Sequence, residues 1–410
     1  MNGKGLLPVA EAQRRIVDAV SPLPAEQIAL PGALGRVLAA DVAARRDQPP
    51  MPVSAMDGYA VRAVDVTALP VRLRVIGSAP AGHAFDGSVG SGETVRIFTG
   101  APVPDGADAI VIQENAERDG DFVRVVDGKA PAGRYVRPAG LDFADGDVLL
   151  KAGRTLTARD VGLAAAMNVP WLMVRRKPRI AILATGDEIV MPGDPIARDQ
   201  IVSSNALALA AFIVASGGEP IDLGIAPDDE DGLRALAAGA RGSDILVTTG
   251  GASVGDHDLV QQVLGDIGLE IDFWRIAMRP GKPLMFGAIG QTFLIGLPGN
   301  PVSSQVCALM FLAPAIRKML GMTTIMPERQ TVVLGADLDE NDEREDYLRA
   351  TLKAVSGGVP RAIPFGRQDS SMFATLARAD ALIVRPPFAP ASKIGDAVEV
   401  IPLRGSVFSI

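Results

Sequence analysis

Short apolar runs alternate with helix-forming segments from Arg179 onwards, and this alternation constrains the fold more than any other feature of the chain. In chain order the alternating strand and helix candidates are RIAILATG, SSNALALAAFIVASGG, PIDLGIA, DDEDGLRALAAGA, DILVTTGG, HDLVQQVLGDIG, TFLIGLPGNP and VSSQVCALMFLAPAIRKML. Repeated strand–helix units give a mostly parallel sheet with helices on both faces. Such sheets bind ligands where loops leave the carboxyl ends of the strands. We therefore predict an α/β domain over residues 177–328 with a ligand site at that edge.

The rest of the 410-residue chain is predicted to form further domains, because one core rarely serves so long a chain. Residues 45–140 contain short β-type runs separated by turns rich in glycine and proline, which indicate a β-rich insert domain. The flanking segments 1–44 and 141–176 have helical or mixed patterns and are predicted to form one unit around that insert. Residues 329–410 return to β-type runs, which predict a C-terminal β-barrel-like domain. The expected fold class is α/β multidomain.

Composition excludes several functional classes. The net charge of −8 argues against a nucleic-acid surface, which needs clustered basic residues. The single cysteine, Cys307, permits no disulfide framework and fits a reducing cytoplasm. The N-terminus has no apolar stretch long enough for a signal peptide, and the longest apolar runs fall short of the roughly 20 residues of a membrane span. We expect a cytoplasmic protein that binds neither nucleic acid nor membranes.

Four polar loops follow predicted strands of the α/β domain, at residues 184–190, 225–231, 248–256 and 297–304. Backbone N–H groups in such glycine-bearing loops can hold a phosphate. Gly250 and Gly255 have the spacing of a P-loop, but Asp256 stands where a P-loop has lysine, so that motif is absent. No G-x-G-x-x-G occurs either, and dinucleotide binding therefore has no support.

Carboxylates in these loops predict a divalent cation. A carboxylate repels a phosphate at contact distance by roughly 1 kcal/mol or more, and a cation between them reverses the sign. Mg²⁺ typically takes one or two protein carboxylates together with phosphate oxygens. Asp228 and Asp256 are the expected pair, with Glu188 as a third candidate. Asp228 could instead cap the following helix, or serve both roles.

Basic residues are concentrated in the stretch FWRIAMRPGKPLMFG, which contains Arg275, Arg279 and Lys282. This stretch is either a solvated turn or the site of a second anion. Arginine presents a fork of donors to a tetrahedral oxyanion, whereas lysine presents a point charge.

Several long motifs resemble one known family. They are PVSAMDGYAVRA (52–63), RIFTGAPVPDGADAIVIQE (96–114), ATGDEIV, GGASVGDHD, RPGKP and GLPGNPVSS, in this order. Together they resemble the molybdopterin molybdenumtransferases, which include MoeA and the gephyrin E domain, over nearly the whole chain.

The resemblance implies an elongated homodimer of four-domain subunits that takes adenylyl-molybdopterin and molybdate. The products are Mo-molybdopterin and AMP, and a divalent cation such as Mg²⁺ is required. The active site is expected between the α/β domain of one subunit and the β insert of the other. Transient contacts with the molybdopterin adenylyltransferase and with acceptor molybdoenzymes are also expected.

The motif positions assign residues to four roles. The expected catalytic residues are Asp57, Thr99, Asp142, Glu188, Asp228 and Asp256, of which the first three come from the partner subunit. The cation ligands are Asp228, Asp256 and Glu188. The expected cofactor-binding residues are Thr185, Gly186, Asp187, Gly250, Gly251, Ser253, Gly255, Pro298, Asn300, Arg275 and Arg137. The expected molybdate-binding residues are Arg279, Lys282, Ser303, Arg349 and Ser371, with Ser304 and Ser370 as adjacent alternatives.

Two departures from the family pattern keep alternatives open. Arginine stands at 275 and 279, where the family commonly has lysine, and the stretch PPMPV before Ser54 lacks a polar pair often found there. A tungstate preference is therefore one alternative. Independently of these departures, a non-catalytic molybdopterin-binding scaffold and a phosphate hydrolase that uses the α/β domain alone are further alternatives.

Overall fold

The computed structural model describes residues 6–250 and 259–403, with the side chains of residues 259–261 excepted. Within that part of the chain no helix is long and apolar enough to cross a membrane. The predicted site residues Gly251, Ser253, Gly255 and Asp256 lie outside the described residues.

The α/β domain is built on a six-stranded sheet. Its first four strands are mutually parallel, the fifth runs antiparallel to them and the sixth runs antiparallel to the fifth, so the prediction of a mostly parallel sheet is confirmed. The sequence analysis missed these last two strands, which flank the basic stretch. From edge to edge the strands are Glu219–Ala226, Arg179–Thr185, Ile245–Thr249, Thr292–Leu297, Met285–Ile289 and Leu269–Phe273.

The register aligns the carboxyl ends of the parallel strands. Thr249 is paired with both Ala184 and Leu297, and Thr185 is paired with Ala226. The four strands therefore end at the same level, and the loops that follow them start side by side.

Helices cover both faces of this sheet, because alternate strand residues are apolar on each side. Ile182 and Val247 face one core cluster, and Leu183 and Leu246 face the other. The covering helices are Asn205–Ala215, Glu230–Ala238, Leu259–Asp266 and a long helix. That helix runs through Pro301–Cys307, a π-helical turn over Ala308–Leu312 and Ala313–Met319.

Proline explains the irregular turn in the long helix. Pro314 has no N–H to donate to the carbonyl of Met310 four residues earlier. The side-chain amide of Gln13 donates to that carbonyl at 2.9 Å. Gln13 belongs to helix Val9–Ala19, whose buried residues share a core cluster with the long helix. The N-terminal helix thus packs on the α/β domain.

The insert domain contains a six-stranded sheet with an apolar cluster on each face. This confirms the β-rich insert. In sheet order the strands are Ala109–Ile112, Gly58–Val61, Glu93–Ile97, Val71–Ala79, Phe122–Val125 and Ala116–Asp119. The short pair Val53–Ser54 and Val136–Arg137 lies beside the point where the chain enters and leaves the domain.

The segments on either side of the insert share one apolar cluster, which includes Leu38, Leu150 and Leu172. Strand Ala25–Ala29 pairs with Trp171–Arg175. Further elements of this unit are Val42–Ala43, Val148–Leu150 and helix Ala158–Ala166.

The C-terminal domain is a closed five-stranded barrel, which confirms the predicted β-barrel-like domain. Strand Glu345–Lys353 closes the barrel by pairing with two neighbours. A short strand of the α/β domain, Met278–Arg279, pairs with the start of the same strand. The barrel strands are Gln330–Leu334, Glu345–Lys353, Arg361–Pro364, Ala381–Arg385 and Ala397–Pro402, and helix Phe373–Arg378 lies between the third and fourth along the chain.

Candidate active site

The loops at the carboxyl edge of the α/β sheet approach one another closely at two glycines. Gly250 has φ +93°, and a Cβ there would lie 2.4 Å from the carbonyl oxygen of Thr185. Gly299 lies beside Gly250, because a Cβ on Gly299 would be 3.6 Å from the Gly250 Cα. Both the backbone conformation and the close approach require glycine at 250. The predicted convergence of these loops is present in the structure.

The hydroxyl of Thr185 is buried at this edge and has no hydrogen-bond partner among the described residues. A buried polar group without a partner is destabilising by about 1–3 kcal/mol. Such a group at a strand end is explained when a ligand supplies the missing partner. Thr185, which was predicted to bind the cofactor, lies at this edge.

Asn205 joins two of the loops. Its Nδ2 donates to the hydroxyl of Thr249 at 2.9 Å and to the carbonyl of Gly299 at 2.7 Å. The sequence analysis missed this residue because Ser204 and Asn205 have the composition of a helix cap. The side chain of Ser204 makes no capping hydrogen bond. An asparagine at the first position of a helix that follows a strand was the available signal.

A side chain of one loop also bonds to the backbone of a neighbouring loop. Oδ1 of Asp187 accepts the backbone N–H of Asp228 at 3.0 Å. Asp229 caps helix Glu230–Ala238 by accepting from the N–H of Gly232 at 2.7 Å, so the alternative in which Asp228 caps this helix is wrong. The exposed carboxylate of Asp228 is therefore not needed for capping.

Glu188 lies over Gly186, where a Cβ would come within 2.5 Å of Oε2. Gly186 has φ +136° and therefore has two reasons to be glycine. The glycine allows the Glu188 carboxylate to fold back toward the strand end. Within residues 6–250 and 259–403 no three acidic, histidine or cysteine side chains form a metal-binding group. The predicted cation ligands Asp228 and Glu188 are both exposed in loops at this edge of the sheet.

The start of the long helix is joined to the C-terminal domain. Nδ2 of Asn300 donates to the hydroxyl of Ser370 at 2.9 Å, and the N–H of Val302 donates to the Ser370 carbonyl at 3.0 Å. Pro298, Ser303 and Ser304 are buried nearby in the chain. The Ser304 hydroxyl has no partner among the described residues. Residues predicted to bind the cofactor and the oxyanion thus occur around one helix N-terminus.

Arg349 is almost completely buried, with 1% of its surface exposed. Its Nε donates to Oε1 of Gln368 at 3.1 Å, and its Nη1 donates to the Asp369 carbonyl at 2.9 Å. These partners are uncharged. Burial lowers the pKa of Arg349, and the nearby Asp369 opposes that effect. Arginine nevertheless stays protonated in proteins, so this buried positive charge has no directly bonded carboxylate among the described residues.

Ser371 differs from Ser370 in its partner. Its hydroxyl donates to Oδ1 of Asp369 at 2.6 Å, and its N–H donates to the same oxygen at 2.8 Å. These bonds from Ser371 lower the pKa of Asp369. Ser370, the alternative left open by the sequence, is the serine that meets Asn300.

Arg279 has different hydrogen-bond partners from Arg349. It donates to Asp346, to Asn341 at 3.1 Å and to Asp342 at 3.2 Å. Asp346 and Arg349 lie on opposite faces of one strand, because side chains alternate along it. Burial raises the pKa of Asp346, and Arg279 opposes that rise. The structure thus separates the two arginines that were both predicted to bind molybdate.

The other cations of the basic stretch are exposed. The guanidinium of Arg275 lies 5.3 Å from the ring centroid of Trp274. The Lys282 carbonyl accepts the N–H of Ile276 at 3.1 Å. Gly281, which lies between Arg275 and Lys282 in the sequence, packs closely against the long helix. A Cβ on Gly281 would lie 2.5 Å from the Cys307 sulfur. The path of this stretch is therefore fixed by packing.

A second polar group lies in the insert domain. The N–H and the hydroxyl of Thr99 both donate to Oδ1 of Asp57 at 2.7 Å. Donation by Thr99 lowers the pKa of Asp57, and the positive charge of Arg96 acts in the same direction. Asp57 is therefore a carboxylate held in one orientation. The structure brings these two predicted residues together.

Arg137 and Asp142 line one cleft of about 600 Å³, together with Gly100 and Arg46. Gly100 follows Thr99, so the cleft adjoins the Asp57–Thr99 pair. Arg137 and Asp142 are exposed in the single chain. The predicted residues thus form two groups, one at the α/β sheet edge and one in the insert domain.

Each domain of the chain lies in a region that matches a known protein family. Residues 7–168 match the MoeA N-terminal region (domain I and II), residues 181–318 match a probable molybdopterin binding domain, and residues 331–403 match the MoeA C-terminal region (domain IV). A Nostoc protein named molybdopterin molybdenumtransferase is 37% identical over 370 residues, which are 88% of this chain and 85% of that protein. The chain belongs to the molybdopterin molybdenumtransferase family.

Other members and a solved structure agree with this membership. The Haemophilus influenzae molybdopterin molybdenumtransferase is 31% identical over 92% of this chain and 94% of its own length. The crystal structure of the molybdopterin biosynthesis MoeA protein from Pyrococcus horikosii matches with a TM-score of 0.84 and 31% identity, covering 98% of this chain and all of that one. The chain is accordingly a transferase of molybdenum cofactor biosynthesis.

Proposed function

We propose that the protein converts adenylyl-molybdopterin and molybdate into Mo-molybdopterin and AMP. The hydrogen bond between Asn300 and Ser370 is the observation that carries this proposal. It joins the sheet-edge loops, which are suited to phosphate groups, to the segment that packs against the buried Arg349. A phosphorylated ligand and an oxyanion would therefore bind next to each other.

The sheet edge supplies the groups that a pyrophosphate needs. Backbone N–H groups of the glycine loops and the hydroxyl of Thr185, which has no partner within residues 6–250 and 259–403, would orient the phosphates. Attack of water on phosphorus would break the bridging P–O bond and release AMP. Arg349 would hold molybdate near the pterin, because no carboxylate in the described part of the chain bonds to its charge.

A divalent cation fits this site. Asp228 and Glu188, with Asp256 from outside the described residues, would hold Mg²⁺. The ion would supply charge neutralisation and polarisation of a phosphoryl oxygen. Without it, the exposed carboxylates at this edge would repel a pyrophosphate.

A homodimer would bring the two polar groups of the site together. Asp57, Thr99, Arg137 and Asp142 would enter from the partner subunit. An exposed apolar helix face supports association, since Leu207 and Val214 on helix Asn205–Ala215 are 49% and 60% exposed. Apolar patches of this kind commonly mark interfaces.

The proposal also covers the cellular compartment of the enzyme, the proteins that exchange substrate and product with it, and the oxyanion that it uses. Net charge and the single cysteine fit a cytoplasmic enzyme that receives its substrate from a molybdopterin adenylyltransferase and passes the product to molybdoenzymes. Arginine at 275 and 279 bears on the choice between molybdate and tungstate.

Incubation with adenylyl-molybdopterin, Mg²⁺ and molybdate tests the reaction, with AMP measured by chromatography. We expect release of AMP that depends on the cation. Asp228→Asn should abolish the release, whereas Asp231→Asn, which alters an exposed residue of the neighbouring helix, should leave it unchanged. AMP release that needs neither the cation nor Asp228 would contradict the assignment.

Oxyanion competition separates the alternatives. A molybdenumtransferase should bind molybdate and tungstate in preference to phosphate, and Arg349→Met should weaken both. Preferential binding of phosphate would instead support a phosphate hydrolase. Tight binding of molybdopterin without AMP release would support a scaffold.

A further inference from the structure

Two aromatic rings hold the side chain of Arg96 on one face of the insert sheet. The register of strands Glu93–Ile97 and Gly58–Val61 places Arg96 directly opposite Tyr59. Phe98, two residues after Arg96, lies on the same face because side chains alternate along a strand. The guanidinium carbon is 5.1 Å from the centre of the Tyr59 ring and 4.7 Å from that of the Phe98 ring. Both distances are typical of cation–π contacts.

The guanidinium donates two hydrogen bonds to uncharged acceptors next to Asp57. Its Nη1 donates to the carbonyl of Gly58 at 2.9 Å, and its Nη2 donates to Oε1 of Gln113 at 2.7 Å. Gly58 directly follows Asp57, and the N–H of Gln113 donates to the Asp57 carbonyl at 3.1 Å. Arg96 therefore joins two groups that fix the main chain at Asp57.

The main chain is fixed on both sides of Asp57. The carbonyl of Met56 accepts from the hydroxyl of Ser54 at 2.6 Å, so three successive carbonyls, from Met56 to Gly58, have partners. The strands also pack closely here, because a Cβ on Gly58 would lie 2.0 Å from the carbonyl oxygen of Val111. The direction in which Asp57 leaves the backbone is therefore set by these contacts.

Arg96 also contacts the segment that binds the carboxylate of Asp57. Phe98 precedes Thr99, whose N–H and hydroxyl both donate to Oδ1 of Asp57 at 2.7 Å. Donation by Thr99 contributes most to lowering the pKa of Asp57, and the positive charge of Arg96 acts in the same direction. Arg96 thus contacts both segments that form the pair of Asp57 and Thr99.

We propose that Arg96 is a positioning residue that holds Asp57 and Thr99 in the orientation needed at the active site. This inference rests on the proposed function, in which Asp57 and Thr99 complete that site. Arg96 acts through these two residues and not on the substrate. Its loss should lower kcat for AMP release and leave KM nearly unchanged, because the substrate-binding groups at the α/β sheet edge are not altered.

Two substitutions of Arg96 and a matched control test the proposal on the full chain. Arg96→Met removes the charge and both donors, so kcat should fall at least about tenfold while KM stays within about threefold of the wild type. Arg96→Lys keeps the charge but loses the planar fork of donors, so its kcat should be intermediate. Arg72→Met is the control, because exposed Arg72 also lies over a ring of this sheet, 3.9 Å from the centre of Phe122. It should change neither constant.

A measurement without substrate separates this inference from the proposed function. The amide hydrogen of Thr99 is bonded to Asp57, so its exchange with deuterium, followed by NMR, reports how firmly the pair is held. Arg96→Met should speed this exchange severalfold, and Arg72→Met should not. If the wild type released no AMP, the proposed function would fail, but the exchange would still decide whether Arg96 holds the pair.

Gln113→Ala provides a second variant if Arg96→Met does not fold. Gln113 is exposed, and its substitution removes one of the two acceptors of Arg96, so kcat should fall by a smaller factor. Thermal melting shows which variants are folded. Unchanged kcat and unchanged Thr99 exchange in folded Arg96→Met, or in Gln113→Ala if only that variant folds, would overturn the proposal. An equal fall of kcat in Arg72→Met would also overturn it.

Discussion

Two buried side chains at the candidate active site lack the partners that burial ordinarily requires. Thr185 has a hydroxyl without a hydrogen bond among the described residues, and Arg349 has a charge without a bonded carboxylate. Each arrangement is unfavourable for folding alone. Residues of this kind are expected where a ligand completes the bonding, and proteins often lose stability at such sites.

Thr185→Val should separate stability from binding. Valine has nearly the same shape and removes the unpartnered hydroxyl, so the free energy of unfolding should stay equal or rise by up to about 1 kcal/mol. Binding of adenylyl-molybdopterin should weaken. Denaturant unfolding and calorimetric titration measure the two effects.

Ser243→Ala is the matched control for Thr185→Val. The Ser243 hydroxyl is also buried and unpartnered among the described residues, but it precedes strand Ile245–Thr249 at the opposite end of the sheet. Its removal should leave substrate binding unchanged. Equal loss of binding in both variants would contradict a ligand-binding role for Thr185.

Arg349→Met should raise the dissociation constant for molybdate or tungstate at least about tenfold, which corresponds to about 1.4 kcal/mol. The reason is loss of the buried positive charge, which has no bonded carboxylate in the described structure. Arg349→Lys should have a smaller effect, because it keeps the charge and loses the planar fork of donors. Calorimetric titration measures the constants.

Arg378→Met removes an exposed charge from the same domain and should leave oxyanion binding unchanged. Thermal melting of each variant separates misfolding from lost affinity. Unaltered oxyanion affinity in a folded Arg349→Met protein would exclude Arg349 from the site.

Most elements could be predicted from the sequence, because their periodicity reflects burial. The strand Arg179–Thr185 and the helix Asn205–Ala215 are examples, each bounded by turn residues. The antiparallel strand Met285–Ile289 was missed because its sequence does not encode its partner. Strand direction and pairing depend on the whole sheet.

Only one part of the candidate site could be predicted from the strand pattern, namely the meeting of the loops that follow the parallel strands. Loops such as those at Thr185 and Gly250 had to meet, because parallel strands end on one edge. The contact between Asn300 and Ser370 could not be derived in this way, because it depends on how two domains pack. The resemblance indicated these positions but left Ser370 and Ser371 as alternatives.

Helix Asn205–Ala215 should position the sheet-edge loops through its first residue. Asn205→Ala removes the donor to Thr249 and to the Gly299 carbonyl, so we expect a loss of about 1–2 kcal/mol in unfolding free energy. Affinity for the adenylylated substrate should fall about tenfold, because the loops lose their common anchor. Ser204→Ala, at an exposed neighbour without a capping bond, should change neither quantity. Equal effects of both variants would contradict the positioning role.

Helix Ala158–Ala166 gives a pH-dependent prediction. Burial disfavours the charge of Asp160, but hydrogen bonds from Arg154 and Thr157 outweigh it and lower the pKa of Asp160. A lowered pKa stabilises the fold above the ordinary value of about 3.9, and the contribution is lost as pH falls through the folded value.

Asp160→Asn should therefore cost about 1–2 kcal/mol at pH 7, and the difference from the wild type should shrink below about pH 4. Denaturant unfolding across pH measures this. Asp41→Asn alters a more exposed carboxylate with a lowered pKa and should cost less. A difference that grows in acid would contradict the assignment.

The whole molecule presents two groups of predicted residues that the proposed active site would combine. One group lies in the insert domain around Asp57 and Thr99, and the other at the α/β sheet edge and Arg349. In the proposed homodimer each active site takes one group from each subunit. That arrangement can be tested without knowing the interface.

Mixing two inactive variants should restore activity if the site is shared. Asp57→Asn removes a charge from the insert group, and Arg349→Met removes one from the sheet-edge group. Each variant dimer should be inactive, but a mixed dimer would hold one intact site and one doubly altered site. Random reassembly should therefore give about one quarter of wild-type AMP release, since half of the dimers are mixed. No recovery in a mixture with proven subunit exchange would show that each site lies within one subunit.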